Sequence, residues 1–576
     1  MSILFLLSCQ NSETISQEAA IETYEITESS DNSSGAPEDM EEAEEEAKDE
    51  IEVEKDYTED DLVTFNSESA FDYCTNPECT IDANGNQVVF SFEFSNGIPI
   101  CDDENIYLFK IRTYESEELI NKKNMVAQTA RAKKVVLSAD YETEYLFSRF
   151  VPAIKYEGEY VPLSVGKFIS NPEALASNND DYPEIGSKKG LLLDANTIDT
   201  EMLYDLNVKR VVYNLPVSLI MGETENETYP TVDFEYDGKV YHFNGYRLAG
   251  FDSLFSYLTD NGFYSTAIIL NDWNEQFPEM IHPLSRKRTW RSMYYAFNTE
   301  EEDGAKLLEA TAMFLAQRYS GGDCGMVYDW VIANEINQQA VWNYMATDDL
   351  EYYAESFEKS FRTFYNAIKS NYKNANVYFS IDQDWNNNYG NNKRFFNGRD
   401  LLHSFNEAAK KGGNYDWGLS IHPYPTPLNN TRFWNGIYDK TEEAKVVTPM
   451  NLSVVTDFMQ NEDFLDTNGG VRDIAITELG FCSKAGEKIQ AAAFAYCYYI
   501  IENNEYISSF LLNRQTDDRE SLRSGLALGI YNKDYSEKYI AEVFKNIDAK
   551  KGESYIDEML EIIGEESLDE ALNKAK

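Results

Sequence analysis

Val327-Tyr328-Asp329-Trp330-Val331-Ile332-Ala333-Asn334 is a short, mostly apolar run that stops at Glu335. It is too short for a core helix and too continuously apolar for a strand with one wet face. It reads as a strand covered on both sides. Seven more runs share this character: Gly190–Leu193, Lys209–Asn214, Ser265–Asn271, Asn376–Asp382, Trp417–His422, Asp473–Glu478 and Ser508–Arg514. Amphipathic helical stretches lie between them, the clearest at Ala305–Tyr319, Tyr352–Tyr372, Arg399–Lys411, Glu487–Asn503 and Ser536–Ile547. Strand and helix in alternation specify a parallel α/β arrangement. Eight such units predict a (β/α)₈ TIM barrel over residues 171–560, with 561–576 left as a C-terminal tail.

Outward from the barrel, residues 63–170 change period. Gln87–Phe94 alternates apolar and polar with period two, and Asn84-Gly85-Asn86 and Ser95-Asn96-Gly97 mark turns. This predicts a small β-sandwich-like domain. Asp82–Gln87 is read as a turn rather than a calcium loop. Two of Cys74, Cys79 and Cys101 are close enough in sequence for a disulfide, with the pairing open. Residues 10–62 form an acidic linker. Positions 11–61 hold 21 acidic and 2 basic side chains, too little apolar surface and too much charge to offset ordering, so disorder is expected. Leu6-Leu7-Ser8-Cys9 has the form of a lipobox after a short apolar stretch. Residues 1–9 read as a truncated lipoprotein signal with Cys9 as the lipidation site. The expectation is a bacterial cell-surface lipoprotein, touching the membrane only through that anchor, and a monomer.

In such barrels, reactive groups sit at the C-terminal ends of the strands. Those ends here carry Asn214; Asn271 and Trp273; Asn334 and Glu335; Asp382 and Trp385; His422 and Tyr424; Glu478; and Asn513 with Arg514. Hydrogen-bonding groups beside aromatic faces are what a sugar cleft needs. Glu335 and Glu478 end the fourth and seventh strands, where their carboxylates can meet across the mouth. Cleaving a glycosidic bond takes two such groups, one to protonate the leaving oxygen and one to attack or stabilise the sugar carbon.

Trp330-Val331-Ile332-Ala333-Asn334-Glu335, Ile474-Ala475-Ile476-Thr477-Glu478-Leu479-Gly480-Phe481 and His422-Pro423-Tyr424 resemble signatures of the clan A glycoside hydrolases. The resemblance covers roughly residues 188–550. It implies a retaining O-glycosidase with Glu335 as acid/base and Glu478 as nucleophile. It also implies Asn334 on the sugar 2-hydroxyl, and Tyr424 or His422 orienting Glu478. Asn214, Asn271, Trp273, Asp382, Trp385 and Arg514 are the remaining candidate substrate contacts. Two positions depart from the pattern: Asn214 stands where many members have Arg, and Asn513-Arg514-Gln515 where many have Trp. The alternative is a non-catalytic carbohydrate-binding surface lipoprotein on the same barrel.

The 576-residue chain has 101 acidic and 49 basic side chains, a net charge of −52. That field opposes nucleic acid and anionic membranes. No basic patch stands out, and the balance favours a neutral glycan over an anionic one. There is no CxxC pair, P-loop or dinucleotide motif, so no metal and no cofactor is expected. The insertion 230–244, turning at Asp237-Gly238, predicts a hairpin over the mouth as a lid or cleft wall.

Overall fold

The computed structural model of the chain describes residues 55–549 and 553–576. Cys9 and most of the acidic linker lie outside the described residues.

Eight parallel strands close into a barrel: β1 Lys189–Leu192, β2 Arg210–Pro216, β3 Tyr264–Leu270, β4 Val327–Ile332, β5 Asn376–Asp382, β6 Gly418–His422, β7 Ile474–Leu479 and β8 Ile507–Leu512. β1 pairs with β8 to close the ring, Gly190 opposite Leu511. A Cβ on Gly190 would lie 2.2 Å from the Leu511 side chain, so glycine permits this seam. Val212, Ile268, Val331, Tyr378, Ala475 and Leu511 fill the interior. Their neighbours Val211, Ile269, Ile332, Phe379, Ile476 and Leu512 pack outward on the helices. Burial on both faces is why the strands read as continuous apolar runs.

The helices α1 Gly245–Asp260, α2 Glu302–Arg318, α3 Leu350–Lys369, α4 Gly398–Lys411, α5 Ser453–Phe458, α6 Glu487–Glu502 and α7 Tyr539–Asn546 surround the ring. At the strand starts, Tyr182 OH donates to Asp329 (3.0 Å), Asn376 donates to it as well (3.0 Å), and Arg210 stands 3.7 Å away. This network closes the barrel floor, leaving the strand C-termini as the open end. Residues 561–576 are not a tail. Helices α8 Glu553–Ile563 and α9 Leu568–Ala575 pack back on α6, where Tyr496 OH donates to Ala571 O at 2.6 Å and Ala571 is buried.

The N-terminal part folds as two antiparallel sheets. One orders Cys74–Ile81, Gln87–Phe94 and Lys134–Asp140; the other orders Met125–Ala130, Asn105–Ile111, Arg149–Tyr156 and Glu159–Pro162. Phe90 and Leu137 of one sheet meet Leu108 and Phe150 of the other in a shared core. The packed chain begins before residue 63. Tyr57 OH accepts from Arg131 at 2.9 Å, and Asp56 accepts from Lys133 N at 3.0 Å. Asp82 caps its own turn by accepting from Asn86 N (2.7 Å) and Gln87 N (2.8 Å), with Gly85 at φ +72°. The six described cysteines are free thiols, so Cys74, Cys79 and Cys101 form no disulfide.

The hairpin Val232–Tyr236 and Lys239–Phe243 forms as its Asp-Gly turn predicts, with both turn residues left-handed. It does not cover the mouth. Phe243 stacks on Phe314 of α2 at 3.8 Å, and Phe147 of the sandwich meets Tyr236 at 6.1 Å. Beneath it, Glu309 of α2 accepts from Tyr236 OH (2.7 Å) and pairs with Arg112 at the end of a sandwich strand. The insertion fills the seam between sandwich and barrel because its aromatic residues need an apolar partner, which α2 supplies.

Candidate active site

Beyond β4 the backbone turns sharply. Ala333 (φ +64°) and Glu335 (φ +37°) both occupy the left-handed region, which costs a non-glycine residue about 1–2 kcal/mol. Neighbouring strands hold the turn. Ala333 N donates to Ile269 O (2.9 Å), Glu335 N to Ser380 Oγ (2.8 Å) and Ile336 N to Ser380 O (3.0 Å). The turn aims Glu335 across the mouth at Glu478 of β7. A carboxylate oxygen of each, together with a ring nitrogen of His422, all lie within 4.8 Å of one another.

The two carboxyls have different surroundings. Glu478 accepts from Tyr424 OH (2.9 Å) and Asn513 Nδ2 (3.1 Å), and Asn513 also donates to Tyr424 OH (2.7 Å). Its pKa is raised by burial and by the charge of Glu335, against which His422, Tyr424 and Arg514 act only in part. Glu335 meets His422 Nδ1 at 3.0 Å and the Trp342 side chain. Its pKa is raised to about 8, first by burial and then by the charge of Asp384. Glu478 is not among the causes of that rise. Burial of His422 pushes its own pKa down, so the ring is neutral near pH 7. Its Nε2 meets Thr477 Oγ1 at 3.1 Å, and Thr477 meets Ser420 at 2.6 Å. His422 therefore positions Glu335, and Tyr424 positions Glu478.

A layer of acids and amides lies behind Glu335. Asn337 and Gln338 donate to Asp382 (2.5 and 2.6 Å), and Gln338 also reaches Asp384 (2.9 Å). Asp384 also accepts from Asn387 and Tyr389 OH. Burial pushes both aspartates upward, Asp382 well above the usual range, with Asp384 and then Glu335 adding to it.

The other candidates separate by their partners. The Asn334 side chain makes no hydrogen bond among the described residues, so its amide is free for a ligand. Arg514 pairs with Asp518 at 2.5 Å and donates to Asn513 Oδ1 (3.1 Å), supporting the residue that holds Glu478. Trp273 lies 5.4 Å from Tyr295 and is half-buried. Asn214 does not end its strand: β2 runs on through Leu215 and Pro216, and Asn214 sits half-buried within it, engaged by a partner. Three candidates are corrected by their partners. Asn271 spends its amide on Met280 O and Ala296 O, pinning the loop after β3. Trp385 is fully buried against Phe458, with its indole N–H on Glu442 O, so it cannot stack on a sugar. Asp382 is enclosed in the amide layer. Sequence reasoning missed Trp342, Ser380, Gln338 and the role of Asn513. Trp342 arrives on a one-turn helix, Gln339–Trp342, within a loop, where no periodicity marks it.

The Glu335–His422–Glu478 triad is also the one group among the described residues with donor atoms spaced for a metal ion. A cation there would have to replace the His422–Glu335 hydrogen bond.

Gly480 follows Glu478 by two residues, and a Cβ there would lie 2.2 Å from Asn513 O. Gly480→Ala is expected to push Asn513 off Glu478 and Tyr424. Overpacking of this kind costs about 1–3 kcal/mol. Steady-state kinetics should show kcat lowered roughly 10- to 100-fold, with the far-UV circular dichroism of the parent kept.

The sequence model of DUF5722, described as a family of unknown function, matches residues 181–571, which include all eight strands and both glutamates. The chain belongs to the DUF5722 family. No curated protein matches it significantly. Similar solved structures include a family 39 glycoside hydrolase from the gut symbiont Bacteroides cellulosilyticus WH2, at 12% identity over 82% of this chain and 83% of that one, TM-score 0.41. A β-glucuronidase from Ruminococcus gnavus shares 11% identity over 82% and 68%, TM-score 0.34. A β-D-glucuronidase from Dictyoglomus thermophilum shares 12% over 83% and 69%, TM-score 0.33. In this DUF5722 member the matched region leaves out the sandwich strands.

Proposed function

We propose that this chain is a retaining O-glycoside hydrolase. The observation that carries the proposal is the pair of facing glutamates, with one oxygen of each within 4.8 Å of the other and with different surroundings: burial and a second acid raise Glu335 to about 8, whereas Tyr424, Asn513 and Arg514 stabilise the charge of Glu478. Retaining glycosidases hold their carboxyl groups about 5–5.5 Å apart, whereas inverting ones leave about 6.5–9.5 Å for a water. Environments that push the pKa values of two carboxyls apart are how acid and nucleophile are told apart.

Glu478, aligned by Tyr424 and Asn513, attacks the anomeric carbon. The bond from that carbon to the leaving oxygen breaks, and the leaving oxygen takes the proton of Glu335. Taking the His422 tautomer with Nδ1–H, which donates to Oε1, Oε2 is left to carry that proton. The sugar is then an ester of Glu478. The Glu335 carboxylate next takes a proton from water, whose oxygen attacks the same carbon and frees Glu478. The Asn334 amide binds the hydroxyl beside the reacting carbon. The two carboxyls supply this chemistry without a metal. Cys9 and the acidic linker would tether the enzyme at the cell surface.

The test is hydrolysis of a panel of aryl glycosides and soluble polysaccharides by the protein, beside Glu335→Gln and Glu478→Gln. Turnover by the parent, lost or strongly reduced in both variants, is the expected result. Turnover surviving intact in both would remove the two-carboxylate assignment.

A further inference from the structure

The chain-wide excess of acid conceals one local reversal. Arg286-Lys287-Arg288-Thr289-Trp290-Arg291 puts four cations in six residues. The run belongs to the loop between β3 and α2, at the open end of the barrel. Arg286 is committed to Glu301. Lys287, Arg288 and Arg291 are exposed and have no ion-pair partner among the described residues. Trp290 between them is 81% exposed, with Arg291 lying 4.6 Å over its ring.

Hydrogen bonds and one ring contact connect this loop to Glu335. Ser292 Oγ donates to Ala340 O (2.9 Å) and Met293 N to Val341 O (2.7 Å). The Tyr294 ring stacks on Trp342 at 5.9 Å, and Trp342 bonds Glu335. Ala340 N donates to Arg394 O (3.1 Å), so the loop after β5 flanks the same one-turn helix from the other side. Arg394 also lacks a carboxylate partner among the described residues, and its Nε is buried without a hydrogen bond. Two carboxylates of the neighbouring segments are paired with other cations: Glu301 with Arg286, and Asp348 with Lys393 at 3.7 Å.

These guanidinium groups stay unpaired in a chain where acids outnumber bases 101 to 49. Each is a planar donor suited to a carboxylate or a sulfate. An exposed Trp beside them offers a flat face to a sugar ring. We propose that Arg288, Arg291 and Arg394, with Trp290, form a subsite for an anionic glycan, its carboxylate or sulfate group held next to the cleavage site. The proposal rests on the hydrolase reading for its meaning as a substrate site, but its binding can be tested alone. It reverses the neutral-glycan expectation, because net charge describes the far field and these cations describe the mouth.

The test uses the full chain with Glu335→Gln to silence cleavage, alone or with Arg288→Gln and Arg291→Gln. Binding is measured by calorimetry to four glycans: polygalacturonate, its carboxyl-reduced neutral form, a sulfated galactan and the same galactan desulfated. The expected result is binding of one charged glycan over its neutral partner, weakened at least roughly tenfold by the double substitution and by added salt. Which pair discriminates identifies uronate or sulfate. Trp290→Phe, which keeps a ring at the same exposed position, should retain binding. Equal binding of charged and neutral forms, binding unaffected by the arginine substitutions, or no binding of either charged glycan at low salt would each overturn the proposal. Arginine-dependent binding without hydrolysis by the parent would leave this inference standing and remove the hydrolase reading. Hydrolysis of a neutral glycan regardless of the arginines would do the reverse.

Discussion

Glu478→Gln is expected to lower turnover by more than about 10⁴-fold on every substrate, because it removes the attacking atom itself. Glu335→Gln should behave differently. Its loss removes proton transfer, worth about 10²–10⁴-fold, and the deficit should depend on the leaving group. An aryl glycoside with an acidic phenol departs without a proton, so its glycosylation step should be largely spared. An alkyl or sugar leaving group should show the full loss. The asymmetry follows from the surroundings of the two residues. Glu478 is held by two neutral donors and offset by Arg514, whereas Glu335 is held by a neutral imidazole and an indole with a second acid behind it. Steady-state kinetics on a leaving-group series would check it. Equal losses across the series for both variants would mean that neither residue acts as the acid.

The pH profile should carry the same assignment. With Glu335 raised to about 8, kcat/KM should stay high through neutrality and fall with unit slope as the pH passes that value. The acidic limb should lie above 4.5, because Glu478 is also raised. In Glu335→Gln the basic limb should disappear. Stability should respond in a linked way. The folded pKa of Glu335 lies above its ordinary 4.5, so the native protein keeps a proton that the unfolded chain releases. That contribution is complete below pH 4.5 and is lost as the pH rises through 8. Thermal unfolding of Glu335→Gln should therefore decline less between pH 5 and 8 than that of the parent. A basic limb unchanged in the variant would assign the titration to another group.

The barrel was legible because its signal is redundant. Eight strands each buried on two faces leave eight apolar runs, and an error of one or two residues at an end changes nothing. The facing of Glu335 and Glu478 followed from strand order once the ring was closed. What a strand-end side chain does there is decided by geometry of less than an ångström. Asn271 and Asn334 are the same residue type after similar runs, yet one is bound to two main-chain carbonyls and the other has its amide free. Trp385 and Trp290 are both loop tryptophans, one fully buried and one 81% exposed. Two-residue pairings such as Leu62–Val63 with Ile98–Pro99 are too short to leave a period. The basic loop was visible in the letters, but a chain-wide charge of −52 masked it. Its meaning depends on which ring of loops it joins.

The measurement that bears most directly on the two-glutamate mechanism is the anomeric configuration of the first-formed product, followed by proton NMR on any glycoside the protein hydrolyses. One oxygen of each carboxylate within 4.8 Å of the other is the close spacing of a retaining pair rather than the wider one of an inverting pair, so retention is the predicted result. Inversion would contradict it and require Glu478 to act as a base on water instead of forming the glycosyl ester.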